Sequence, residues 1–150
     1  MKKLATTLLL VLLLGCATTL HEGPKFAETA APSGDEALVY IYRNFVPPIY
    51  QSPAIYFNST KIVDLANKGY TNVYVRPGEY LIRSEWSDVS GAPNVQGKAG
   101  FAAGQTYFIR LGGDMNPGTV RSTLQSVPTS LGTSEIAECM FVKPEVERVK

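Results

Sequence analysis

The stretch TNVYVRPGEYLIRSEW, residues 71–86, decides the fold. Valine alternates with tyrosine over residues 73–75, and apolar and polar side chains alternate over residues 79–86. A period of two is typical of a β-strand with one buried face. Pro77-Gly78 lies between the two runs and favours a tight turn, because proline presets φ and glycine accepts a positive φ. We therefore predict strands at 71–75 and 79–86, with the second strand running back beside the first and with Tyr80, Ile82 and Trp86 on one of its faces.

Similar β-branched and aromatic runs occur on both sides of this stretch, separated by segments rich in Pro, Gly, Ser and Asn. The predicted strands are 37–43, 54–57, 61–65, 71–75, 79–86, 98–101, 106–111 and 120–127, and residues 54–65 are predicted to form a hairpin. The predicted loops are 45–53, 87–97 and 112–118. Short strands at such spacing favour an all-β fold, and we expect an antiparallel β-sandwich of about 7–8 short strands over residues 37–128.

The pattern changes after Pro128, and residues 129–150 predict a short C-terminal helical segment with a charged, frayed tail. Thr133 or Ser134 is a suitable N-cap, and Pro144 would end the helix. The face expected to be buried consists of Ile136, Cys139 and Met140.

The N-terminal residues predict an export signal. Lys2 and Lys3 precede an apolar run over residues 4–14 that is too short to span a bilayer as a mature helix. The run ends in Leu-Leu-Gly-Cys at residues 13–16, which resembles the lipobox of bacterial lipoproteins. That resemblance implies cleavage of a signal peptide, residues 1–15, and acylation of Cys16. An ordinary secretory signal that happens to contain a cysteine is the alternative.

Residues 16–36 are predicted to be a lipidated N-terminus and flexible linker, since they contain Pro and Gly and show no period. Ala17 follows the lipid site, and no aspartate stands there. By resemblance to the sorting rule of such lipoproteins, we expect a lipid-anchored protein at the periplasmic face of the outer membrane.

The strand motifs also resemble a known group of proteins. The motifs are Ala37-x-x-Tyr40-Ile41-Tyr42-Arg43, Ile55-Tyr56-Phe57-Asn58, Arg76-Pro77-Gly78-Glu79-Tyr80 and Gly104-x-x-Tyr107-Phe108-Ile109-Arg110. Together they resemble an uncharacterised family of bacterial lipoprotein domains of unknown function, and the middle region is similar to PEGA-type β-sandwiches. The resemblance implies no catalytic residues.

Composition excludes several classes of function. The 150 residues carry 14 basic and 13 acidic side chains without a basic run, so we expect no nucleic-acid partner. Of the two cysteines, Cys139 lacks a partner once Cys16 is acylated. It is interpreted as a small buried hydrophobic residue, with an intermolecular disulfide or a reactive thiol as alternatives.

Catalytic and metal-binding patterns are weak. The single histidine, His21, lies in the predicted linker, whereas zinc sites and nucleophilic catalysis usually need histidine within the fold. We expect no metal, no cofactor and no enzymatic activity. An enzyme using a carboxylate pair remains an alternative. The acids available for such a pair are Asp64, Glu79, Glu85, Asp88 and Asp114.

Binding is the function class that the residues favour. Arg43, Phe45 and Tyr50 lie on or beside a proline-rich loop, and Trp86 ends a strand. Exposed aromatic residues on loops often mark contact surfaces. Alternatively, these aromatic residues fold back over an open end of the sandwich. We expect a binding or scaffolding module of the cell envelope, held in the membrane by acyl chains, with an envelope protein or a cell-wall glycan such as peptidoglycan as its partner.

Overall fold

The computed structural model describes residues 23–44, 46–117 and 119–150, and these residues form two packed β-sheets and one short helix. The elements in chain order are β1 (Ala37–Arg43), β2 (Ala54–Phe57), β3 (Thr60–Asp64), β4 (Gly69–Val75), β5 (Gly78–Glu85), a 3₁₀ turn (Asp88–Ser90), β6 (Val95–Phe101), β7 (Thr106–Asn116), β8 (Thr119–Val127), α1 (Thr129–Ile136), β9 (Met140–Phe141) and β10 (Arg148–Val149). The predicted all-β sandwich with a short C-terminal helix is therefore confirmed.

The larger sheet is mixed rather than purely antiparallel. Its order is β10-β4-β1-β7-β8, with β9 also paired to β4, whereas the smaller sheet has the order β3-β2-β5-β6. β1 pairs with β7 in parallel, and β9 and β10 both pair with β4 in parallel. Parallel neighbours need a long crossover connection. Here the connection from β1 to β7 contains β4 and all four strands of the smaller sheet, which are β2, β3, β5 and β6.

The Pro77-Gly78 turn changes sheets instead of closing a hairpin. β4 belongs to the larger sheet and β5 to the smaller one. The Tyr80 hydroxyl donates to the Arg76 carbonyl oxygen at 2.9 Å and closes this corner. The corner lets Val75 and Tyr80 face the same core from opposite sheets. The predicted return of residues 79–86 beside residues 71–75 is therefore wrong, although both strands are confirmed and their side chains alternate between faces as predicted.

Both faces of β1 are buried, which places this strand at the centre of the molecule. Val39 and Ile41 point between the sheets and pack in the main core with Phe57. Leu38 and Tyr40 point to the other face, where α1 and the N-terminal segment cover them. The fold therefore has a third, partial layer outside the larger sheet.

The helix begins earlier than predicted. It starts at Thr129, directly after Pro128, and ends at Ile136. Gly132 lies against the Phe108 ring so closely that an added Cβ would come within 2.3 Å of it. Cys139 is buried as expected, but Met140 lies in β9 and is 36 % exposed, so its predicted place on a buried helix face is wrong.

The described part of the predicted flexible linker is packed against the protein. The Phe26 ring contacts the rings of Tyr40 and Tyr70 edge-on at 5.5 and 5.4 Å between centroids. The Thr29 amide donates to the Tyr40 hydroxyl at 2.8 Å, and the Tyr74 hydroxyl donates to the Ala30 carbonyl oxygen at 2.8 Å. Residues 23–30 thus form an extended strap over the larger sheet, contrary to the linker prediction.

Two further boundaries differ from the prediction. Residues 112–116 continue β7 rather than forming a loop, because Gly112 and Gly113 admit a close approach of β8; an added Cβ on Gly113 would lie 2.4 Å from the Arg121 carbonyl oxygen. The C-terminal tail is not frayed, since Val149 is 5 % exposed and pairs with β4. The predicted signal peptide and Cys16 lie outside the described residues. None of the helices in the part that is described has the length and apolar character needed to cross a bilayer.

Candidate functional site

The candidate site lies where β1 and β5 end, and we call it the loop end. It consists of residues 46–53, which follow β1, residues 86–94, which follow β5, and residues 119–120 of the β7–β8 hairpin. β7 and β8 extend past the end of β1, because Leu111 pairs with Arg43 and the ladder continues to Asn116. Three separate parts of the chain therefore meet at one end of the sandwich.

Arg43 holds the first of these loops in place. Its side chain lies on the same face of β1 as those of Val39 and Ile41, so it points into the core and is 0 % exposed. The guanidinium donates to the carbonyl oxygens of Gln51 at 2.7 Å and Val46 at 2.8 Å, to that of Pro48, and more weakly to that of Leu65 at 3.4 Å. A planar group with donors in several directions can bind several carbonyls of one loop at once.

Trp86 packs on the same guanidinium. The Arg43 guanidinium carbon lies 4.8 Å from the centroid of the Trp86 ring, within the range of a cation–π contact. The indole N–H donates to the Ser122 hydroxyl of β8 at 3.2 Å, and the Trp86 amide donates to the Asn94 side chain at 2.7 Å. Trp86 therefore joins the second loop and the β7–β8 hairpin to Arg43.

Burial lowers the pKa of Arg43 to about 10, so its side chain still carries a positive charge at neutral pH. No carboxylate is among its hydrogen-bond partners in the described ranges; the charge faces carbonyl dipoles and an aromatic ring instead. Such an arrangement suits the organisation of a loop, because both terminal nitrogens of the guanidinium donate to backbone carbonyls, while the buried Nε–H has no hydrogen-bond partner among the described residues.

The two loops display exposed apolar side chains. Tyr50 is 85 % exposed and Val89 is 86 % exposed, against 42 % for Leu131 and 36 % for Met140. The Ser87 hydroxyl donates to the Gln51 side-chain oxygen at 3.3 Å, which ties the loops together. Beside Val89 lies an open cleft of about 550 Å³. It is lined by Trp86, Ser87, Asp88, Gly91, Ala92, Pro93, Asn94, Thr119 and Val120.

The structure thus brings together most of the residues predicted to bind. Arg43 and Trp86 are buried supports, and Tyr50 is an exposed residue held by them. Phe45 and Cys16 lie outside the described residues. Tyr50 does not fold back over the open end of the sandwich, as the alternative interpretation required, whereas the Trp86 ring does cover the core. Because Arg43 is two residues after Ile41 in the same strand, the sequence already indicated that both side chains point to the same, inward face.

Sequence reasoning missed a second polar cluster, between α1 and the larger sheet. The Tyr42 hydroxyl donates to the Glu135 carboxylate, which also forms an ion pair with Arg110 at 2.7 Å. Arg110 donates in turn to the Gln125 side chain at 2.6 Å. Burial, helped by the Glu135 carboxylate, raises the pKa of Tyr42, so the tyrosine stays a neutral donor. The alternation of Tyr40 and Tyr42 indicated this covered face, but nothing in the sequence indicated its partner on the helix.

Cys139 lies beside this cluster and is 1 % exposed. Its sulfur is within 3.6 Å of the Asn44 side-chain oxygen and 3.8 Å of the Arg43 carbonyl oxygen. Burial raises the pKa of the thiol to about 12, which disfavours the reactive thiolate. This environment fits the interpretation of a small buried hydrophobic residue.

The acids considered for catalysis lie apart on the surface. Asp64 pairs with Lys61 at 2.8 Å, and Glu85 pairs with Arg83 at 2.5 Å. Asp114 accepts a hydrogen bond from the Asn116 side chain at 3.1 Å. Glu79 and Asp88 are exposed on β5 and the 3₁₀ turn. Among residues 23–44, 46–117 and 119–150, no group of three or more His, Cys, Asp or Glu side chains is placed to hold a metal ion.

Comparison with known proteins gives one match. A family model described as "Protein of unknown function (DUF2846)" matches residues 33–123. The match covers β1 to β7 and part of β8, and it therefore includes Arg43, Tyr50 and Trp86. No curated protein and no solved structure matches the chain.

Proposed function

We propose, from the premise that this chain belongs to the DUF2846 family of proteins of unknown function, that it is a lipid-anchored module of the cell envelope whose contact surface is the loop end. One observation carries the second part of this proposal. Two loops fixed to one buried arginine each expose an apolar side chain, Tyr50 and Val89, to more than four-fifths.

Rigid support is what distinguishes this surface from an ordinary loop tip. A contact residue on a mobile loop must be ordered on binding, and that ordering opposes association. Here the carbonyls of Val46 and Gln51 are already held by Arg43 at 2.8 and 2.7 Å. Tyr50, which lies between them in the chain, is therefore presented at little further entropic cost.

The anchor rests on the N-terminal sequence. Two lysines, an apolar run and Gly15-Cys16 together fit a lipoprotein signal. Ala17 favours the outer membrane by the sorting rule, and the protein then acts at the periplasmic face of that membrane as a binding or scaffolding module. We also propose a PEGA-type sandwich, because the Arg76-to-Tyr80 corner has the proline-glycine-tyrosine pattern of that group.

A cell-wall glycan is the second candidate partner, and the exposed Tyr50 ring supports it. An aromatic face can stack on a sugar ring, but Trp86 is only 7 % exposed and its ring already faces Arg43. The glycan proposal therefore depends on Tyr50 alone. Co-sedimentation of the protein with purified peptidoglycan, compared with its Tyr50→Ser variant, tests it. Equal sedimentation of the two proteins, or none by either, would exclude this candidate.

The anchor is tested by growing cells with an alkyne fatty acid and comparing wild type with two single variants. Cys16→Ala should lose the label and leave the membrane fraction. Cys139→Ala is the matched control, since these are the only two cysteines, and it should keep both the label and the membrane location. Label on the Cys16→Ala protein, or membrane retention without label, would contradict the proposed anchor.

A further inference from the structure

The chain enters the described fold at the loop end. The Phe141 amide donates to the Pro24 carbonyl oxygen at 2.8 Å, and Phe141 pairs with Tyr70 of β4. Tyr70 pairs in turn with Tyr42, the residue before Arg43. The strap then runs over the larger sheet, past Tyr40, towards the start of β1. Gly23 therefore lies at the same end of the sandwich as the loops that carry Tyr50 and Val89.

The length of chain before this point limits the distance to the lipid. Seven residue steps separate Cys16 from Gly23, and a chain of that length spans at most about 25 Å when fully extended. The opposite end of the sandwich carries the turn at residues 102–105, beside the start of β1, where the Gly104 amide donates to the Glu36 carbonyl oxygen at 2.7 Å. That turn is separated from the loop end and Gly23 by the length of β1, which is about 23 Å for seven residues.

The side chains at the near end suit a lipid interface. Tyr50 and Val89 are the most exposed large apolar side chains in the described ranges. Tyrosine is favoured at the boundary of a bilayer, where its ring meets lipid and its hydroxyl meets water. A small apolar contact beside a covalent lipid is also the kind of second attachment that makes membrane binding firm.

We propose that the loop end contacts the bilayer surface, with Tyr50 and Val89 in the headgroup region, so that the sandwich is held in one orientation. This inference rests on the proposed lipid anchor and names the partner of the proposed contact surface. The opposite end, with the turn at residues 102–105, then faces the aqueous compartment and is open to soluble partners.

The test uses the full protein, purified from membranes with its own lipid and reconstituted into phospholipid vesicles. An environment-sensitive fluorophore is placed on a single new cysteine in Tyr50→Cys, Val89→Cys or, as the matched control, Ala103→Cys. All three positions are exposed, whereas Cys139 is buried with a raised thiol pKa and does not compete for the reagent. Quenching by nitroxide-bearing lipids reports contact with the bilayer, and quenching by iodide reports contact with water.

We expect labels at positions 50 and 89 to lose most of their fluorescence in nitroxide vesicles and to resist iodide, and the label at 103 to show the reverse. The mass of the N-terminal peptide is measured on the same samples and tests the anchor separately. Acylated protein with equal lipid quenching at all three positions overturns the orientation and leaves the anchor standing. Protection from iodide without lipid quenching also overturns the proposal, because in vesicles of purified protein it means that another copy of the chain covers the loop end. An unmodified N-terminus removes the tether and the inference with it.

Discussion

Replacing Arg43 by methionine tests whether one buried guanidinium organises the loop end. Methionine keeps most of the length and apolar volume of the arginine stem but donates no hydrogen bond. The change leaves the carbonyl oxygens of Gln51 and Val46 without their donor, which lies at 2.7 and 2.8 Å. It also removes the contact with the Trp86 ring at 4.8 Å.

The magnitude follows from these contacts. Each buried carbonyl left without a partner costs about 1–3 kcal/mol, and the lost cation–π contact adds about 1 kcal/mol. Part of this loss is offset because the variant no longer buries a charge. Relaxation of the loop also lets water hydrate some of the carbonyl groups that have lost their donor. We therefore expect a loss of about 3 kcal/mol in the free energy of unfolding, or about 10 °C in Tm for a chain of this size.

Arg83→Met is the matched control. Arg83 also lies over an aromatic ring, that of Tyr56 at 4.9 Å, and it pairs with Glu85, but its side chain is 31 % exposed on the outer face of the smaller sheet. Exposed pairs contribute about 0–1 kcal/mol, so this variant should lose less than about 1 kcal/mol. Urea unfolding of chains that begin at residue 17, followed by circular dichroism, measures both changes. Equal losses in the two variants would refute the role assigned to Arg43.

Three further changes test the packing of the helix and its surroundings. Gly132→Ala should lower the free energy of unfolding by about 1–3 kcal/mol, despite the better helix propensity of alanine, because its Cβ would meet Phe108; the exposed control Ser130→Ala should not lower it. Since burial raises the pKa of Cys139 to about 12 from its ordinary 9.0, only the unfolded state releases that proton between these values, so stability falls as pH rises. Wild type should lose about 1 kcal/mol more than Cys139→Ala between pH 9 and 10 in parallel urea titrations, and identical slopes would contradict the buried thiol. Glu135→Ala removes the carboxylate that joins α1 to the sheet and should cost about 1–3 kcal/mol with faster amide exchange in the helix, whereas unchanged exchange would show that apolar packing alone holds α1.

Alternation predicted the strands well because burial itself has a period of two. The faces of residues 79–86 are those expected, and the hairpin at 54–65 forms as predicted. Strand order is another matter, since periodicity contains no information about which strands are neighbours. The parallel pairing of β1 with β7 joins residues about one-half of the chain apart, and only tertiary packing selects it.

The errors at segment ends have local physical causes. Gly112 and Gly113 suggest a loop by composition, yet they stand in a strand because the facing strand comes too close for a side chain. Residues 23–30 have the composition of a linker, and it is Phe26 that anchors them between Tyr40 and Tyr70. A single aromatic residue in a proline-containing segment leaves no periodic signal for sequence analysis to detect.

The site was predictable in part for the same reason. The alternation of side chains along β1 and β5 places Arg43 and Trp86 on the inward faces of these strands, and both strands end at the loop end. The contact between the two side chains could therefore have been inferred once the two sheets were known to pack face to face. The cluster of Tyr42, Arg110 and Glu135 could not, because its members come from two strands and a helix whose start was misplaced by several residues.

The central claim is that a lipid on Cys16 anchors the protein in the membrane, and the mass of the mature protein tests this claim most directly. Protein extracted from membranes should lack residues 1–15 and begin at a cysteine whose mass is increased by acyl chains. A chain that retains its first residues and carries an unmodified thiol at position 16 would contradict the claim.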